Sequence, residues 1–318
     1  MTPETKQNLA DPDSEAAEIR ASLMRGLPEI PCRFLYDETG SELFEQITHQ
    51  PEYYQTRTEL AILEAHARDI GKIIRPLEYV ELGAGSGRKT DLLLGAMDTL
   101  ECCVLTDISE DFLKESVARL RVAHPNLQLR GLTADFLSNL GVLGQSKRRL
   151  ITLLAGTLGN LHPGAVPGFL RRVAQQLTPE GGFLVGIDLI KDPARIEAAY
   201  NDRAGVTATF NKNILSVINK RFEADFPLDA FEHRARYDTE NSWVDIRLQA
   251  TRPVDIHAKA LDLKLRFNTG EEIRTELSCK YSPESFAAVA QDTGLKIREI
   301  YSDNEGLFAN ILMVREDG

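Results

Sequence analysis

Three groups of residues in this chain have types and spacings that could do chemistry. The first is VELGAGSGRKTDLLL, where Glu81 precedes Gly83, Gly85 and Gly87 at every second position. Glycines so placed let a backbone take positive φ and approach a ligand closely. The second comprises Asp107, in VLTD, and the pair Asp135 and Phe136, in TADF. A carboxylate at the end of the strand after such a loop can accept from both hydroxyls of a ribose, and the later pair could bond and cover an adenine. The third is RTELSCKY, where Glu276 and Ser278 alternate with Leu277 and Cys279. Two residues apart on a strand, Glu276 and Ser278 share a face. On their own they read first as a solvated strand face, since exposed Glu and Ser are common.

These residues need a scaffold, and the hydrophobic pattern supplies one. LEYVELGA reads as a buried strand, and ECCVLTDIS, LQLRGLTAD, RLITLLAGT and GGFLVGIDLI as four further strands. KTDLLLGAM, DFLKESVARLRVAHP and VPGFLRRVAQQLTPE read as helices between them. Strand–helix alternation with short links predicts a doubly wound α/β sheet, which binds ligands beyond the carboxyl ends of its strands. The alternation then breaks. A helical stretch, DPARIEAAYNDRAGVTATFNKNILSVINKRF, is followed by FEHRARY, SWVDIRLQA, VDIHAKALDLKLRF and EEIRTELSCKY, which predict one antiparallel sheet with NTG at 268–270 as a hairpin turn. A helix, PESFAAVAQDTG, and two further strands, LKIREIYSD and LFANILMVRE, close the chain. Strands of one sheet separated by such a stretch imply an inserted domain.

Composition narrows the partners. The net charge of −11 argues against nucleic acid or an anionic membrane surface, so a small-molecule partner is expected. Four cysteines form no CxxC pair and no ligand-spaced cluster with the six histidines, which predicts reduced thiols, no metal site and a cytoplasmic setting. No apolar run reaches the length of a membrane span, and the polar start MTPETKQNLADPDSEAAEIR lacks an export signal's apolar core.

The glycine loop leaves two cofactor classes open. A dinucleotide fingerprint GxGxxG would need glycine at 88, where Arg88 stands. The observed ExGxGxG resembles the first motif of class I S-adenosylmethionine-dependent methyltransferases. Three longer segments are more specific: RFLYDETGSELFEQITHQPEYYQTRTE, LAGTLGNLHP and DLIKDPARIEAAYNDRAGVTATFNKNIL. With TELSCKY, they resemble the histidine Nα-methyltransferases of ergothioneine biosynthesis, from about Arg33 to Pro283. That family moves three methyl groups from S-adenosylmethionine to the α-amine of L-histidine, giving hercynine.

The resemblance implies a class I methyltransferase fold, Rossmann-like with a mostly parallel seven-stranded sheet. Residues 56–190 and 283–318 would form the cofactor domain, and residues 1–55 and 191–282 an α+β substrate domain. Gly83, Lys89, Asp107, Asp135 and Phe136 would contact S-adenosylmethionine. Tyr53, Asn160, Tyr200, Glu276 and Ser278 would contact histidine, with Tyr36 as the catalytic residue beside the reacting amine. The chain departs from the family's GSTIGN, reading AGTLGN at 155–160. Glu276 could then accept from an imidazole N–H, with Ser278 serving the same ring. The alternatives are another aromatic amino acid, such as a tryptophan derivative, or a binding protein without catalysis. A single-chain enzyme is expected.

Overall fold

The computed structural model describes residues 12–136, 140–144 and 148–317. Helices α1 (Pro12–Leu23) and α2 (Glu38–Thr48) come first, then the long α3 (Gln55–Ile74). From there strand and helix alternate: β1 (Glu78–Leu82), α4 (Arg88–Gly95), β2 (Cys102–Asp107), α5 (Glu110–Ala123) and β3 (Gln128–Thr133). The run continues with β4 (Arg149–Leu153), α6 (Val166–Gln175) and β5 (Gly182–Asp188). Every residue of β1, β4 and β5 is buried, as central strands covered on both faces require.

The seven-stranded sheet has the order β11-β12-β5-β4-β1-β2-β3, with β11 (Leu295–Ser302) and β12 (Phe308–Arg315) arriving last, after α9 (Pro283–Ala290). The strands β3, β2, β1, β4 and β5 run parallel, and β12 pairs antiparallel with both β5 and β11. The strand order reverses between β1 and β4, which opens a crevice at their carboxyl ends. At the amino ends the buried Arg149 guanidinium donates to Glu78 at 2.5 Å and to the Leu143 carbonyl at 3.2 Å. Among the described residues no helix is long and apolar enough to cross a membrane.

The chain divides into two compact units. One holds Gln55–Lys191 and the stretch from Cys279 onward, hence the large sheet. The other holds Asp192–Ser278 with the N-terminal stretch as far as Tyr54. In this second unit α7 (Pro193–Tyr200) and α8 (Val206–Phe222) precede β6 (Phe231–Asp238) and β7 (Trp243–Ala250). The small strands β8 (Val254–Ala258) and β9 (Leu263–Phe267) follow, then β10 (Glu272–Cys279). Pro193 in the first turn of α7 and the Asp192 carboxylate accepting from Ala194 N–H at 3.2 Å start that helix.

The single antiparallel sheet and the NTG hairpin expected here need correcting. The strands form a three-stranded sheet, β10-β7-β6, and a separate β8–β9 pair. VDIHAKALDLKLRF is not one strand. A 3₁₀ turn at Lys259–Leu261, ending on Asp262 at φ 45°, folds it back on itself as β8 and β9. The turn at 268–270 exists, with Gly270 at φ 89°, but its bonds go elsewhere. Gly270 N–H donates to the Ala250 carbonyl, and Ala250 N–H to that of Glu271, at 2.8 and 2.9 Å. The chain leaving the turn therefore pairs with β7, not β9.

Candidate active site

Gly83, Gly85 and Gly87 all have positive φ (75°, 50° and 64°). The loop from β1 to α4 thus uses backbone that an L side chain adopts only under strain. Gly83 and Ala84 N–H both donate to the Thr106 carbonyl of β2, at 2.9 and 3.0 Å. The loop is held by the Asp107 carboxylate too. One oxygen accepts from Gly85 N–H at 3.1 Å and the other from Ser109 N–H at 3.0 Å. Burial raises the Asp107 carboxyl above its ordinary value, against the pull of these backbone donors. Phe136 is buried, and its ring edge would lie 3.4 Å from a Cβ built on Gly83. Asp135, at its side, is half-buried.

These residues fit an adenosine. Each Asp107 oxygen keeps a lone pair for a ribose hydroxyl, the bare Gly83 lets the backbone come close, and Phe136 offers an apolar ring at the next strand end. Glu81 is the penultimate residue of β1. It is buried, accepts from Tyr79 hydroxyl at 2.9 Å and from Thr90 hydroxyl, and burial pushes its carboxyl up to about 7. Because the folded value lies above the ordinary 4.5, the folded state binds the extra proton. The associated stability is complete below pH 4.5 and is lost as pH rises through about 7. That shift corresponds to about 3 kcal/mol. Glu81→Gln should therefore raise the melting temperature at pH 8, with the gain vanishing toward pH 4.5; a gain equal at both pH values would contradict this.

Lys89, in the first turn of α4, points at Glu59 and forms an ion pair with it. Glu59 is fully buried on α3 and also accepts from Ala155 N–H at 2.8 Å and from Asn310 Nδ2–H at 3.0 Å. A Cβ on Gly186 would overlap that carboxylate, so the glycine in β5 makes its room. Sequence reading passed over Glu59. The available signal was its position, since Gln55, Glu59, Ile62, Leu63, Ile70 and Ile74 form the buried stripe of α3. The Ala155 N–H anchors the start of the loop after β4, where Ala155 and Gly156 have φ 61° and 71°. Asn160 ends this loop, half-buried, in the 3₁₀ turn Thr157–Asn160. Gly159 has close backbone on it: a Cβ there would meet the Cys279 carbonyl oxygen at 2.7 Å.

In the second unit the polar set gathers around aromatic rings. Tyr36 follows the 3₁₀ turn Cys32–Leu35, its ring 5.7 Å from Phe44 and 5.6 Å from Phe210, edge to face. Phe44 packs in turn on Tyr53 at 6.2 Å. Burial, and next the charge of Glu276, hold the Tyr36 hydroxyl well above its ordinary range, with Tyr53 and Tyr200 adding to the effect. The same two causes push the Cys32 thiol up to about 12. Glu276 is half-buried and Ser278 buried, both on β10. Ser278 Oγ lies 2.7 Å from the Tyr200 hydroxyl at the end of α7. Tyr200 also packs against a small cluster of Ile196, Ala235, Val244 and Ile246.

Tyr36, Tyr53, Tyr200, Glu276 and Ser278 thus lie in one unit. Gly83, Lys89, Asp107, Asp135, Phe136 and Asn160 lie in the other. One set offers acceptors and hydroxyls suited to a small polar molecule, the other a carboxylate, a bare glycine and an aromatic ring suited to a nucleoside.

Comparison with known proteins identifies the family. The model of the histidine-specific, S-adenosylmethionine-dependent methyltransferases matches residues 15–315. A histidine N-alpha-methyltransferase of Mycolicibacterium smegmatis is 38% identical over 311 residues, covering 96% of this chain and 97% of that protein. One of Mycobacterium tuberculosis is 37% identical over 294 residues, covering 92% of each. With the family model matching nearly its whole length, this chain belongs to the S-adenosylmethionine-dependent, histidine-specific methyltransferases.

Proposed function

We propose that the protein methylates the α-amine of L-histidine three times, yielding hercynine, and that the unit bearing Glu276 holds the amino acid while the large sheet holds the donor. The observation carrying this reading is the hydroxyl pair Tyr200–Ser278 at 2.7 Å, two residues along β10 from Glu276. An imidazole has one N–H donor and one acceptor nitrogen when neutral. Glu276 accepts from the ring N–H, and Ser278 bonds the ring directly or through water. An indole has a single N–H and no acceptor nitrogen, so this set suits it less. When Tyr200 donates to Ser278, the Ser278 O–H is released to the ring's acceptor nitrogen.

When bound, S-adenosylmethionine supplies a methyl carbon made electrophilic by its sulfonium, which departs as a neutral thioether. Alignment of the amine with that carbon is what the protein contributes, and it is worth several kcal/mol of barrier. The amine must be neutral at each transfer, and loss of hydration beside positive charge favours that form. Tyr36 is not a tyrosinate base, because its hydroxyl is held in the protonated state. In the first two transfers it acts instead as a neutral acceptor of an amine N–H, fixing the lone pair's direction; the dimethylated amine of the third has no N–H to give. Tyr36→Phe should lower kcat about tenfold or more, on the scale of one lost hydrogen bond, and full turnover would remove that role.

Asp107 is assigned to the ribose. Asp107→Asn should weaken S-adenosylmethionine binding by about 10- to 100-fold, as expected for losing charge-assisted bonds, and calorimetry reads it directly; unchanged affinity would refute the assignment. We assign the enzyme to the cytoplasm, a reading supported by its four cysteines, all free thiols. The decisive test is incubation with S-adenosylmethionine and either histidine or tryptophan, followed by mass spectrometry. A gain of three methyl groups on histidine is expected; methylated tryptophan with untouched histidine would overturn the substrate.

A further inference from the structure

His233 lies on β6 between Phe231 and Ala235, on the face of that strand that turns inward. Its Nε2 is 2.8 Å from the carbonyl oxygen of Tyr200, and its Nδ1 is 2.9 Å from Nδ2 of Asn211 on α8. Asn211 is itself buried, and its Nδ2 also donates to the Arg247 carbonyl of β7 at 3.0 Å. A carbonyl can only accept, so Asn211 must present its NH₂ group to Arg247. The other N–H of that group then faces Nδ1, which must be the bare nitrogen. That leaves the proton on Nε2, where the Tyr200 carbonyl accepts it. The tautomer follows from the bonding pattern.

Tyr200 is the last residue of α7, so its carbonyl is one of those a helix end leaves without an intrahelical donor. His233 supplies the donor. Nearby bonds fasten the same helix end to β6: Asn201 Nδ2–H donates to the Ala235 carbonyl at 3.1 Å, and Tyr237 N–H donates to Glu197 at 2.9 Å. The histidine bond acts on the backbone of Tyr200 itself, the residue whose hydroxyl meets Ser278.

We propose that His233 is a positioning residue for amino-acid binding: by holding the Tyr200 carbonyl, it sets where the Tyr200 hydroxyl stands against Ser278. The proposal rests on the substrate assignment above. Burial, opposed by the Tyr200 carbonyl and Asp202 and aided by Arg234, lowers His233 below its ordinary value. A neutral ring is what the arrangement needs, because a proton on Nδ1 would face the Asn211 N–H, donor against donor.

Three variants and one spectrum test this. His233→Phe keeps the ring volume but leaves the Tyr200 carbonyl and an Asn211 N–H without partners. It should raise KM for histidine about tenfold, the scale of one lost buried bond, with KM for S-adenosylmethionine within about twofold. His233→Gln, whose amide can donate to the same carbonyl, should recover most of the loss. If both KM values stay put, or rise together, His233 is only structural and the proposal fails. Tyr200→Phe separates the two readings. If it leaves KM for histidine unchanged, the substrate assignment fails; if it raises KM while the His233 variants do not, the positioning role alone fails. Should His233→Phe not fold, ¹⁵N NMR of histidine-labelled wild-type enzyme still decides. The expected result is a neutral Nε2–H ring that is harder to protonate than an ordinary histidine. An Nδ1–H tautomer or ordinary titration overturns the proposal.

Discussion

Glu59→Ala should cost the fold about 3–5 kcal/mol, the usual penalty for removing one partner of a buried ion pair. The carboxylate is fully buried and serves three donors from three elements: Lys89 of α4, the Ala155 N–H after β4, and Asn310 of β12. Removing it leaves an ammonium, a peptide N–H and a carboxamide N–H with nothing to replace it. The alanine cavity is too hemmed in to reorganise cheaply, because Gly186 stands directly against the missing group. Glu59→Gln should fall between the two, keeping an acceptor for Ala155 or Asn310 but no charge for Lys89. Urea unfolding of the three proteins measures this, and a loss under about 1 kcal/mol for alanine, typical of an exposed pair, would mean the site is wetter than its burial implies.

The second large effect is on selectivity. Glu276→Ala should raise KM for histidine by about 30- to 100-fold and leave KM for S-adenosylmethionine nearly unchanged. A hydrogen bond to a charged group is worth about 1.5–3 kcal/mol, and sites built to bond a polar ring lose most when that bond goes. Tyr36 gives an internal check. Its hydroxyl is raised by burial first and by Glu276 second, so in the alanine variant it should move back toward its ordinary value, readable by ultraviolet titration. Equal rises in both KM values would contradict the division of binding between the two units.

The central strands β1, β4 and β5 were legible because they are mostly apolar runs closed by glycine or aspartate, a pattern that burial on both faces demands. The glycine loop was legible for a related reason, since three alternating glycines have little use outside backbone of positive φ. Neither Glu276 nor Ser278 was readable from types alone, as a half-exposed strand carries such residues anywhere; the matched segments singled them out. Glu59 and His233 were missed because nothing local marks them. Each is a polar residue at a position where periodicity demands an apolar one, and only distant partners explain why it is tolerated. The β8–β9 pair was misread for a simpler reason. Alternation continues through Lys259–Leu261, so the reversal depends on Asp262 adopting a left-handed backbone, which sequence alternation does not encode.

β12 is wedged between β5 and β11, and β5 is buried along its whole length. In synthesis, however, β5 leaves the ribosome before the entire Asp192–Ser278 stretch, and β12 only after it. Until β12 does, β5 presents an open edge, apolar as far as Asp188, the kind of edge that pairs with other chains. A nascent molecule is therefore sticky where the finished one is sealed, and β12 acts as the closing stave of the sheet.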